Sequence, residues 1–146
     1  MLIVTAAAAI ALAQQAQTPP IPPLASAGQA EAPDTLALAT QLRGESRDEA
    51  WASRVEAELT RAYQALPNAA SAGSMAVTCG LTLCEIVGQA KPDANPQAVS
   101  ALVSELQSGA AIEPARGLGL EHLVGTFGTT GEPQRVGFVV YWRRGG

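Results

Sequence analysis

Histidine occurs once in the 146 residues, at His122, and cysteine twice, at Cys79 and Cys84. Any Ser-His or Cys-His nucleophile pair would therefore have to use His122. A zinc site built on the two cysteines needs two more ligands, and the chain offers one histidine and no further cysteine. No Gly-x-Ser-x-Gly elbow is present, and Gly117-Leu118-Gly119-Leu120 lacks the third glycine and following helix of a dinucleotide loop. Glu113 and Glu121 are the carboxylates that could pair for acid-base work, yet their spacing gives no reason for them to meet. Positive charge is also scarce: Lys91 is the single lysine, and 9 basic residues face 13 acidic ones for a net charge of −4. Apart from Arg143-Arg144 the basic residues are dispersed, so the footprint of a nucleic-acid binder is absent. These absences leave no catalytic residue, metal or cofactor to expect.

What the chain does have begins with an uncharged run, MLIVTAAAAIALA, over residues 1–13. It ends in Ala11-Leu12-Ala13 before Gln14-Gln15, the form of a signal-peptide core and its Ala-x-Ala cleavage site. The run departs from the usual signal in having no Lys or Arg before it. It is shorter than the roughly 20 residues a membrane-crossing helix needs, and no cysteine at the cleavage point offers a lipid anchor. Residues 14–34 hold five of the ten prolines and no apolar period, as expected of an extended linker. Residues 35–146 then suffice for one domain.

Both cysteines sit in Val77-Thr78-Cys79-Gly80-Leu81-Thr82-Leu83-Cys84-Glu85-Ile86-Val87. Apolar alternation before Gly80 and after Leu83 reads as two strands joined by a short loop. Placing Cys79 opposite Cys84 puts Val77 opposite Ile86 and Met75 opposite Gly88, so all the large apolar residues except Val87 share one face. A disulfide fits if the two cysteines form a non-hydrogen-bonded antiparallel pair. A redox pair normally reads Cys-x-x-Cys at a helix start, where the helix dipole depresses the thiol pKa. The spacing here, inside a strand pattern, favours a structural staple.

Helical periods flank this hairpin. Asp34 precedes a short helix from Thr35 to Arg43, stopped by Gly44. Ser46-Arg47-Asp48-Glu49 reads as a capping box, followed by apolar residues at Trp51, Val55, Leu59, Ala62 and Leu66 up to Pro67. Asn95 and Pro96 start another helix, with a stripe at Val99, Leu102, Val103 and Leu106 and a stop at Gly109. From Leu118 to Arg144 the chain reads as a second hairpin, turning at Gly128 to Pro133. In its last strand Val136, Phe138, Val140 and Trp142 share the core face, with Val139 and Tyr141 opposite.

The expected fold is therefore α+β: a four-stranded antiparallel sheet from two β-hairpins with two amphipathic helices on one face, in the order α-ββ-α-ββ. Its outer face would carry Thr78, Glu85, Val87, Val139 and Tyr141. Leu123 and Phe127 join them if Leu120, His122 and Val124 face the helices. That face is more apolar than a solvated sheet requires. Either a partner docks there, or the short Leu36–Leu42 helix folds over it, or the register is off by one.

The helix beginning Trp51-Ala52-Ser53-Arg54-Val55-Glu56, followed by the Val77 to Ile86 cysteine hairpin, resembles a pattern in small exported proteobacterial proteins of unassigned function. The resemblance covers residues 46–90. It implies a periplasmic compartment and a disulfide, and brings no catalytic residues. The leading expectation is a non-enzymatic periplasmic module that binds an unknown protein or itself through the open face. A small hydrolase using His122 is the alternative, and a redox role for Cys79 and Cys84 a third.

Overall fold

The computed structural model describes residues 33–131 and 134–146. The signal peptide expected over 1–13 and all but the last two residues of the 14–34 linker lie outside the described residues, as do Glu132 and Pro133 of the expected turn.

Local chemistry starts each helix. Asp34 accepts from the Leu36 amide at 2.9 Å and opens α1, Thr35–Gly44. Asp48, not Ser46, caps α2, Glu49–Gln64, by accepting from the Trp51 amide. That shift moves Glu49 from the third helical position to the first, where it pairs with Arg47 instead of closing a capping box. Asn95 accepts from Gln97 and Ala98, and Pro96 leads α3, Pro96–Leu106. Ser108 then starts a helix that the sequence pattern hides, α4, Gly109–Gly117, whose interior contains Pro114. Gly119, at φ +77°, takes the left-handed conformation that ends α4 and turns the chain into the sheet.

The sheet has the order β1-β2-β4-β3, with β1 at Ala72–Cys79, β2 at Leu83–Ala90, β3 at Leu120–Thr130 and β4 at Arg135–Arg144, every pair antiparallel. The two hairpins lie side by side through β2 and β4. The first has the expected register, with Cys79 opposite Cys84, Val77 opposite Ile86 and Met75 opposite Gly88. The expected order of α+β elements holds, with α4 added before the second hairpin.

Two separate clusters cover the two faces. On one, α2, α3 and α4 bury Trp51, Val55, Leu59, Leu102, Leu106 and Ala115 against Ile86, Phe138, Val140 and Trp142. On the other, α1 buries only Leu38 and Leu42, against Leu83 and Tyr141. The inner face therefore supplies most of the hydrophobic stabilisation, which scales with apolar area removed from water. At its centre burial pushes the Tyr63 phenol up to about 12, partly offset by the nearby Trp142 indole N–H. Neither polar atom completes a hydrogen bond of normal geometry.

Candidate docking face

Cys79 and Cys84 are bonded, with Cα atoms 4.1 Å apart, the close approach of a non-hydrogen-bonded antiparallel pair. In such a pair the Cys79 N–H and C=O point away from β2, toward the open edge of the sheet. Both are satisfied by one ion pair. Glu56 on α2 accepts from the Cys79 amide at 2.8 Å, Arg47 donates to the Cys79 carbonyl at 2.9 Å, and the two side chains meet at 2.6 Å. The Arg47 guanidinium beside it holds the Glu56 carboxyl below its ordinary range, against the effect of partial burial.

The loop closed by the disulfide is tied from the other side by Glu45, immediately after α1. Its carboxylate accepts from the backbone amides of Leu81, Thr82 and Leu83 at 2.9, 2.8 and 3.2 Å, and from the Thr82 hydroxyl. Three successive N–H groups aimed at one anion form a nest. Partial burial opposes ionisation of Glu45, but the bonds from Thr82, Gln41 and Leu83 outweigh it and lower the pKa. Arg144 completes this end of the sheet, with its guanidinium 4.5 Å from the Trp51 ring centroid and 3.0 Å from Asp48. The disulfide is compatible with an oxidising, exported setting. No helix of the described residues is long and apolar enough to cross a membrane.

On the outer face the register aligns side chains in rows across all four strands. The row nearest the disulfide is Thr78, Glu85, Tyr141 and Val124. Tyr141 is buried beneath α1, and its hydroxyl donates to Glu85. Burial raises the phenol well above its ordinary value, and the Glu85 carboxylate raises it further. Leu123 and Val139 pack half-buried around the same α1 patch. The short helix thus covers part of the expected binding face.

The next row is Ala76, Val87, Val139 and Thr126, in which Val139 borders the α1 patch while Val87 keeps 44% of its surface exposed. Beyond it come Ser74, Gln89, Gly137 and Gly128. Together these rows floor a groove of about 580 Å³. No residue in either row carries a charge.

One expected member of the face is elsewhere. Phe127 points to the inner side, its ring 6.4 Å from Phe138 and packed on the main core. A β-bulge between His122 and Val124 is the reason: it inserts Leu123 as an extra residue and reverses the parity of everything after it. Leu120 and His122 therefore face inward as expected, whereas Val124 and Thr126 face outward. Leu120 and Phe127 are both large, apolar and seven residues apart, a spacing that no unbroken strand can place on one face. That pair was the available sign of the bulge.

His122 meets the Trp142 ring edge-on at 5.0 Å, and burial followed by the Arg116 charge lowers its pKa. No carboxylate or hydroxyl hydrogen-bonds its ring among the described residues. Among the same residues no group of three or more His, Cys, Asp or Glu side chains is placed to hold a metal ion. In comparisons with protein-family models, curated proteins and solved structures, nothing matches the chain.

Proposed function

We propose that the chain is an exported, periplasmic interaction module with no catalysis of its own, and that it docks a second copy of itself through the open end of the outer sheet face. The observation that carries this reading is the groove floored by the row Ala76–Val87–Val139–Thr126, with Val87 exposed at its centre and the glycines beside it. Apolar surface left open on a small domain is the usual mark of an interface. The absence of charge from both rows favours a second copy, because a charged face would meet the same charge on its twin. A two-fold contact needs only one self-complementary patch, and Gly128 and Gly137 let backbones approach closely. The apolar run at 1–13, the disulfide and the resemblance to small exported proteins support export.

Light scattering on the mature protein tests the reading. The wild type should run as a dimer at high micromolar concentration and Val87→Glu as a folded monomer. A wild type that stays monomeric, or a Val87→Glu variant that still dimerises, rejects it.

A further inference from the structure

Helix α1 differs from the other helices in what holds it. It spans 10 residues, too few for an isolated helix to persist in water, so it exists only while docked. Its seat consists of two leucines one turn apart, Leu38 and Leu42, and of Glu45 beyond its C-terminus in the nest of Leu81–Leu83. Among the described residues no strand or other helix lies over it on the outer side of the sheet, and Leu36 is 69% exposed. Beneath it lie Leu83 and Tyr141, at 0% and 2% exposure, with Val139 bordering both this patch and the open groove. The covered patch and the open groove therefore adjoin at Val139 on one outer face, part of it capped by a short element of the same chain.

We infer that α1 is a displaceable ligand in cis, and that the patch beneath it is a docking site for an amphipathic helix of defined pattern. That helix carries two apolar residues four apart and a carboxylate three residues further on, as Leu38, Leu42 and Glu45 do. The apolar pair fills the surface over Leu83 and Tyr141, in the manner of a helix laid in a groove. The carboxylate takes the three backbone amides, which the disulfide between Cys79 and Cys84 keeps converged in a tight loop. This rests on the outer face being the docking surface, and it adds that α1 sets how much of that face is available. While α1 is seated the face ends at Val139; with α1 released it extends to Leu83.

Hydrogen exchange on the full chain tests the detachment. The amides of Leu38 to Gly44 should exchange at least about 100-fold faster than those of Ile86 and Val140, because opening α1 leaves the inner core intact. Equal protection would overturn the inference. The variant Leu38→Asp should keep the tryptophan near-ultraviolet signal of the inner core. A synthetic peptide of residues 34–46 added to it should then shift the NMR amide signals of Leu83 and Tyr141, and should leave the wild type unshifted. A Leu38→Asp variant that unfolds makes α1 an inseparable part of the core and rejects the inference, as does a folded variant that ignores the peptide. Because the exchange and peptide readouts use no dimer, they fail independently of the Val87→Glu experiment: a dimer without detachable α1 sinks only the helix site.

Discussion

At the turn end of the sheet, the Cys79–Cys84 bond, Glu45, the Arg47–Glu56 pair and Arg144 tie α1, α2, the β1-β2 loop and the end of β4 together. At the other end three strands carry glycine, at Gly88, Gly128 and Gly137, and the fit of an aromatic ring takes the place of a side chain at the first of them. Phe138 lies directly over Gly88, where an added Cβ would stand 2.1 Å from the ring. One end is fixed by directional polar bonds at an exposed loop, the other by shape within the core. Among the described residues the polar end also holds all the lowered carboxylates, Glu45, Asp48, Glu49 and Glu56, while the groove rows at the glycine end contain nothing that titrates. The two ends should accordingly fail under different insults, steric at the glycine end and chemical at the polar end.

The largest effect is expected from Gly88→Ala. The new methyl cannot coexist with the Phe138 ring, so the ring must leave its place on Phe127 and the core. Overpacking of this kind costs about 3 kcal/mol at the upper end of its usual range. Urea denaturation measures it, and Phe138→Leu in the same chain should recover part of the loss by vacating the contested space. A loss below about 1 kcal/mol would mean that the ring moves freely and that shape does not hold this end.

A smaller loss follows from Cys79→Ser with Cys84→Ser. The bond closes a loop of sequence separation 5, for which chain entropy gives about 2 kcal/mol. Register should nevertheless survive, because Glu56 and Arg47 still hold the Cys79 amide and carbonyl. Adding Glu56→Ala should therefore cost the double-serine chain more than it costs the wild type. Strict additivity in that cycle would show that the ion pair and the staple act on separate things.

The contrast between the ends also explains what could be read from the residues alone. The cysteine hairpin was legible because its period-2 pattern and its two cysteines demand the same register. The capped stripes of α2 and α3 were legible because each follows a single helical period. Helix α4 was not, since Gly109, Pro114 and Gly117 are breakers by composition and outweigh the Ser108 cap until Ala111 and Ala115 are buried in the main core. Of the seven expected face residues, Phe127 lies on the inner face because of a bulge whose one sign is the odd spacing of Leu120 and Phe127, a sign that strict alternation overlooks. Tyr141 lies on the expected face, and of the readings open for that face the fold of the short Leu36–Leu42 helix over it holds for this part; what the residues do not reveal is the tie of Glu45 to amides 36 to 38 residues away. Long-range polar ties of that kind carry no sequence period.

The smallest effect is expected from Glu45→Gln, and its pH dependence is the informative part. The folded pKa of Glu45 lies below its ordinary value of 4.5, so its ionised form is favoured by folding. Its contribution is fully present above the unfolded pKa and disappears as pH falls through the folded one. Half-exposure discounts the charged hydrogen bonds to about 1 kcal/mol. Urea midpoints should thus separate wild type from Glu45→Gln at about pH 7 and converge once the pH has fallen below the folded pKa of Glu45, where both side chains are neutral. Gly80→Ala should reproduce the neutral-pH loss with the carboxylate retained, because a Cβ there would sit 2.5 Å from a Glu45 oxygen and push it off the nest. If the two midpoints differ equally at both pH values, the carboxylate is a surface group, and the polar end owes its order to the disulfide and Arg47 alone. If they converge, acid releases the tie beyond α1 while the uncharged groove rows stay as they are, and the α1-covered half of the outer face becomes the half that pH can open.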